Sequence, residues 1–274
     1  MSSDDVDSVV VSTAVGDVHV VVDGDVGADV VVACIHGLPG SARDFLHLGR
    51  ALQKRGACAV RFDLPGFGRS PPSTSLLLQP LQRAAVIAAV MQRLGHARYA
   101  VVGHSFGGTA ALATAASVEA VSALALISSM GVTRHHGLTI PHEITRHLAG
   151  LRDVPLVGAR LAAPVLNVVR RTTGRLGIRG ERAFLDDEVV EQMQLMGGID
   201  FADLRGFARR VRVPALVMSA EDDRIIERAV PFMLAAALSS SSSPLVSHHH
   251  RATGGHFLQK RAAAAIADWL LIAA

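Results

Sequence analysis

Apolar and polar positions along this chain alternate between two periods. Residues 9–13 and 18–22 are β-branched runs separated by Ala14, Val15, Gly16 and Asp17, the pattern of an antiparallel hairpin at a sheet edge. Residues 30–35 are apolar without a break and end at His36-Gly37, as a strand buried on both faces would. Residues 43–55 switch to helical spacing, with Phe45, Leu48 and Leu52 on one side. A second apolar strand, 58–62, ends at Asp63. A helix over 81–94 then places Ala85, Val86, Ala89, Val90 and Leu94 on its apolar face. A strand at 99–102, a small-residue helix from Gly108 and a strand at 123–127 follow.

Such strict alternation predicts a mostly parallel central sheet with helices on both faces. It lapses at Gly131. The next eighty residues hold helical stretches (140–151 and 186–196), scattered glycine and proline, and no clear strand. Alternation resumes with a strand at 215–218, a helix near 226–238, a strand near 245–249 and a helix near 257–271. The expected organisation is an α/β core formed by 1–130 and 211–274, interrupted by a helical cap insertion, 131–210. Residues 239–243, all serine, read as a low-complexity loop.

Composition narrows the class. The chain has 274 residues, half of them apolar and 19% charged, which is enough for a sizeable core. The acidic N-terminus lacks the basic and apolar regions of a secretory signal. Cys34 and Cys58 each lie in a buried-strand pattern and read as free thiols of a reducing, cytoplasmic compartment. The uncharged stretch between Arg98 and Glu119 is long enough to span a membrane, but Gly103, Ser105, Gly107 and Gly108 break it up and no basic cluster flanks it. A buried strand and helix explain it better, so no stable membrane span is expected. The formal charge of +3 is concentrated in 131–212, where thirteen arginines face nine acidic residues. No aromatic residues interleave with them, which argues against a nucleic-acid partner. No GxxxxGK[ST] or GxGxxG loop is present.

The chemistry centres on Gly103-His104-Ser105-Phe106-Gly107, at a strand-to-helix turn. A serine there stands clear of its neighbours over a helix N-terminus, and flanking glycines relieve the crowding of the turn. The hydroxyl needs a histidine base oriented by a carboxylate. His256 follows Gly254-Gly255 at the last strand-to-helix loop, and Glu221-Asp222-Asp223 follow the strand at 215–218. The chain order Ser, Asp, His suits a nucleophile elbow on a parallel sheet. Backbone N–H groups of Leu38 and Phe106 would receive an oxyanion. Of the other histidines, His36 reads as a brace for its loop and His104 as a packing residue. His248, His249 and His250 are a contiguous triplet unsuited to metal binding. Met193, Met196 and Phe201 are candidate apolar lining for a substrate.

Five segments together resemble the α/β-hydrolase fold superfamily, in its capped, serine-nucleophile branch. They are His36-Gly37-Leu38-Pro39-Gly40, the stretch from Asp63 to Ser70, Gly103 to Gly108, Val213 to Asp223, and Gly255-His256-Phe257-Leu258. The resemblance implies nucleophile Ser105, acid Asp223 and base His256, with Asp222 as the alternative acid. It implies an esterase or thioesterase acting on a small-molecule substrate, with no metal or organic cofactor. Carbon–carbon bond hydrolysis, acyl transfer, aminopeptidase chemistry and a non-enzymatic receptor role are alternatives on the same scaffold. Serine at the elbow argues against the aspartate-nucleophile branches. The sequence does not reveal the oligomeric state.

Overall fold

A computed structural model describes residues 7–71, 79–135, 195–240 and 245–274. Its strands are β1 (Asp7–Thr13), β2 (Gly16–Asp23), β3 (Val31–Ile35), β4 (Cys58–Phe62), β5 (Tyr99–His104), β6 (Val121–Ile127), β7 (Ala215–Ala220) and β8 (Val246–Arg251). They form one eight-stranded sheet in the order β1-β2-β4-β3-β5-β6-β7-β8. The β1–β2 and β2–β4 pairs are antiparallel and all others are parallel. The expected edge hairpin is therefore present. β4 enters between β2 and β3, and β5 pairs on the far side of β3.

The apolar runs form strands because helices cover both faces. Side chains alternate between two core layers, as the period-2 pleat requires. Ala33, Ile35, Val60, Val101, Leu124, Leu126 and Val217 face one layer. There they meet α2 (Pro80–Arg93), α3 (Gly107–Ser117), α4 (Phe201–Arg210) and α5 (Ala229–Ser239). Val32, Cys34, Ala59, Val102, Ala125, Ile127 and Met218 face the other, against α1 (Leu46–Gln53), α6 (Leu258–Arg261) and α7 (Ala263–Ala273). Cys34 and Cys58 are free, buried thiols.

Two expectations shift. α2 buries Ala84, Val86, Ile87, Val90 and Met91, while Ala85 is exposed. Its buried face is thus turned toward the larger Ile87 and Met91, which remove more apolar surface from water than alanines can. α4, capped by the Asp200 carboxylate on the Ala202 and Asp203 amides, lies within the stretch assigned to the insertion. Its Leu204, Phe207 and Ala208 belong to the core layer shared with α3. The helix expected over 140–151 falls outside the described residues. Of the one expected over 186–196, only 195 and 196 are described, and both are helical. No helix among the described residues is long and apolar enough to cross a membrane.

Candidate active site

The ends of β3, β4, β5 and β7 and the loop after β8 carry the candidate residues. β5 ends at His104, and α3 starts at Gly107. Ser105 between them has φ +51°, a left-handed conformation that a side-chain-bearing residue adopts at a cost. The turn is held from below: Ser105 N–H donates to the Ile127 carbonyl at 3.0 Å, and the Ser105 carbonyl accepts from Gly108 and Met130 N–H. Glycines permit this approach. A Cβ at Gly103 would lie 2.7 Å from Ala111 Cβ and from the Gly107 carbonyl, and one at Gly107 would overlap the Ile35 and His36 carbonyls. The small-residue pattern of 107–117 is what lets α3 pack this close to the sheet.

The loop after β3 lies against the elbow. A Cβ on Gly37 would stand 2.9 Å from Ser105 Cβ, so Gly37, the residue before Leu38, borders the serine. His36 fixes this loop. Its Nδ1–H donates to the Gly37 carbonyl at 2.7 Å, and its Nε2 accepts from Leu64 N–H at 3.0 Å. Burial pushes its pKa down, which keeps the ring neutral and able both to donate and to accept. The amides of Leu38 and Phe106 have no backbone acceptor among the described residues. Phe106 also stacks under Arg83, whose guanidinium carbon is 4.7 Å from the ring centroid and whose Nη2 donates to Thr109 Oγ1. Burial lowers the Arg83 pKa to about 10, leaving it a cation beside the start of α3.

The stretch Asp63 to Ser70 is a structural turn. The Asp63 carboxylate accepts from Ala42 N–H, Arg69 N–H and the His19 ring, and a Cβ on Gly68 would collide with it.

His256 and Asp223 form a buried pair: His256 Nδ1–H donates to Asp223 Oδ2 at 3.0 Å, with side chains 8% and 1% exposed. Asp223 Oδ1 accepts from Ile225 and Ile226 N–H at 2.8 and 3.0 Å. Burial raises the Asp223 pKa, but the hydrogen bond and charge of His256 and these two amides outweigh it. The net shift is downward, so the group is a carboxylate. Asp222, one residue earlier, is exposed and accepts from Gly255 N–H at 2.6 Å. Adjacent carboxylates thus hold adjacent parts of one loop: Asp223 takes the imidazole and Asp222 the backbone before it. With Nδ1 engaged, Nε2 is the ring nitrogen left to take a proton. No hydrogen bond joins Ser105 Oγ to the His256 ring among the described residues. Such contacts commonly tighten only when substrate is bound.

His104 does more than pack. Its Nε2–H donates to the His256 carbonyl at 2.9 Å, and the two ring centroids are 4.8 Å apart. Burial, aided by the neighbouring His256, drives its pKa down to about 3. The residue before the serine therefore anchors the backbone of the candidate base as a neutral ring. The sequence signal was adjacency to Ser105 alone, which cannot show a contact across 152 positions. Lys260, a turn beyond His256, pairs with Asp44 at 2.9 Å. Asp44 in turn accepts from Ser41 N–H in the loop that follows Leu38.

Met196 and Phe201 are half-buried and pack against the core layer of α3 and α4. The structure ties neither to Ser105, and Met193 lies outside the described residues. His248 and His250 share one face of β8, against Phe232 and Ser219, and His250 Nε2 meets Glu221 at 2.7 Å. Among the described residues no group of three or more His, Cys, Asp or Glu is placed to hold a metal ion.

Residues 30–263 match the profile of the alpha/beta hydrolase fold family. The chain belongs to that family, which makes it a hydrolase in class. It is 27% identical over 203 residues to the uncharacterised hydrolase YugF of Bacillus subtilis (strain 168), covering 71% of this chain and 73% of that one. Among solved structures it is similar to the esterase EaEST from Exiguobacterium antarcticum, with TM-score 0.70 and 16% identity, covering 96% of this chain and 97% of that one. It is also similar to a thioesterase domain from the curacin biosynthetic pathway, with TM-score 0.67 and 19% identity, covering 97% and 99%. At these identities the solved structures share the fold.

Proposed function

We propose that the protein is a serine hydrolase that cleaves a carboxylic ester or thioester of a small to medium apolar substrate through an acyl-enzyme. The observation that supports this best is the buried His256–Asp223 pair at the same sheet edge as a serine held at positive φ. In this reading Ser105 Oγ bonds to the substrate carbonyl carbon while its proton passes to His256 Nε2. Asp223 holds the ring in the tautomer that accepts the proton, and steadies the imidazolium that results. The carbonyl oxygen becomes an oxyanion between the Leu38 and Phe106 amides, each donor lowering the barrier by about 3 kcal/mol. The leaving alkoxide or thiolate departs with the proton from His256. Water, deprotonated by the same ring, then attacks the acyl carbon and releases the acid.

The esterase and thioesterase among the similar structures are consistent with this reaction class. The part of 131–210 that precedes α4 would supply the cap that shields the acyl-enzyme. The test is hydrolysis of p-nitrophenyl esters of increasing acyl length, with labelling by a fluorophosphonate. Wild-type protein hydrolyses the shorter esters and is labelled at Ser105, and Ser105→Ala loses both. Full turnover in Ser105→Ala would end the proposal.

A further inference from the structure

A second serine stands in a hydrogen-bonded row with a histidine and an aspartate, away from the elbow. Ser8 Oγ is 2.8 Å from His19 Nε2, and His19 Nδ1 is 2.8 Å from Asp63 Oδ2. The register of the edge hairpin creates the first contact. Ser8 pairs with Val21 and Val10 with His19, so Ser8 and His19 are diagonal neighbours on one face of the β1–β2 ribbon. The loop after β4 supplies the carboxylate.

The protons in this row can be assigned from chemistry. A carboxylate only accepts, so His19 Nδ1 carries the hydrogen, and in the neutral ring Nε2 offers its lone pair to the Ser8 hydroxyl. The support is rigid. Asp63 is 3% exposed and also accepts from Ala42 and Arg69 N–H at 2.6 and 2.9 Å; His19 is 5% exposed, and its own N–H donates to Ser70 Oγ. Ser8 by contrast is exposed. A serine open to solvent, a base in hydrogen-bond contact and a fixed carboxylate behind it form the arrangement that activates a hydroxyl. β1 is an edge strand, so its outer side presents backbone N–H groups that β2 does not pair.

We infer that Ser8 is a second acyl-accepting site, which captures acyl groups from donors carrying a good leaving group, such as aryl esters. In this step Ser8 Oγ bonds to the acyl carbon, and its proton moves to His19 Nε2. The bond from that carbon to the leaving oxygen breaks, and the aryl oxide leaves as the phenol with the proton from His19. The ring returns to neutrality, Ser8 keeps the ester, and no electrons change hands. Ser8 lacks a positive-φ elbow and a helix N-terminus, so the acyl group is held there and not turned over.

The inference does not depend on the role of Ser105, and it is tested in Ser105→Ala protein treated with p-nitrophenyl acetate and mapped by mass spectrometry. Ser12 is the internal control: it is exposed on the same strand, but its hydroxyl donates to Asp17 and not to a histidine. Ser8 is expected to acetylate roughly 100-fold faster than Ser12, the scale of general-base assistance. His19→Gln, folded by circular dichroism, is expected to bring Ser8 down to the Ser12 rate. Absence of an acetyl group on Ser8, or equal rates at the two serines, would overturn the inference. The Ser8 to Ser12 ratio is read in protein with His19 in place, so it decides even if His19→Gln does not fold. Failure of the Ser105 proposal would register separately, as undiminished catalytic turnover in Ser105→Ala.

Discussion

At the scale of single residues, the two neighbouring aspartates separate the proposed chemistry from its scaffolding. Asp223→Asn replaces the acceptor of His256 Nδ1–H with a group that can present the wrong tautomer, and it is expected to lower kcat for p-nitrophenyl butyrate on the order of 10³- to 10⁴-fold. Asp222→Asn keeps an acceptor for Gly255 N–H and loses only charge, so a loss under about tenfold is expected. Equal losses would show that the loop, and not the carboxylate, matters. The serine, the last histidine and the acidic triplet were legible in the sequence because each sits at a strand end in a short, patterned segment. Composition and context do not separate Asp222 from Asp223: the two differ only in which one turns toward the ring. The anchoring of His256 by His104, and the row from Ser8 through His19 to Asp63, were hidden for a similar reason. Each depends on strand register or on loops brought together from distant parts of the chain.

At the scale of elements, the elbow shows how little spare volume the fold allows. Gly107→Ala would drive a methyl group into the Ile35 and His36 carbonyls and force α3 away from β3. A destabilisation of about 1–3 kcal/mol is expected in urea unfolding, with activity lost beyond what unfolding explains because Ser105 and the Phe106 amide move with the helix. The elements themselves were readable, since unbroken apolar runs and 3.6-residue spacing survive in β3 to β7 and in α1, α2 and α7. Their spatial order was less so. Nothing local tells β4 to insert between β2 and β3, or α4 to join the core layer beside α3. Those choices follow from which faces remain to be covered once the chain is compact. The buried face of α2 differs from the expected one by a fraction of a turn, because alanines surround it and carry weak directional information.

For the whole molecule, pH is the informative variable. Burial pushes His104 down to about 3 and also lowers His36, His96 and His135, so the folded protein holds these rings neutral. In the unfolded chain they take up protons near the ordinary value of about 6.5. The unfolded state therefore binds more protons below that pH, and stability falls as the solution is acidified from about 6.5 toward 3. Asp223 acts in the same sense at lower pH: its depressed folded pKa contributes stability above the ordinary carboxylate range, and this is lost as pH drops through the folded value. Urea midpoints are expected to fall steeply from pH 7 to pH 4.5, and His104→Phe is expected to flatten that slope. A midpoint insensitive to pH over this range would contradict the burial of these rings. The buried Arg61–Asp23 pair, joined by two hydrogen bonds between β4 and β2, should behave differently. Asp23→Ala leaves an uncompensated cation and is expected to cost about 3–5 kcal/mol at neutral pH.

The tie between Lys260 and Asp44 carries a consequence for handling the protein. Lys54 and Lys260 are the only lysines in the chain, so amine chemistry is an almost site-selective tool here. Reductive methylation would preserve the cation and leave the loops of Leu38 and His256 fastened to each other. Succinylation would reverse its sign and remove that tie. Comparing the two treatments would show whether the halves of the site travel as one hinge or as two.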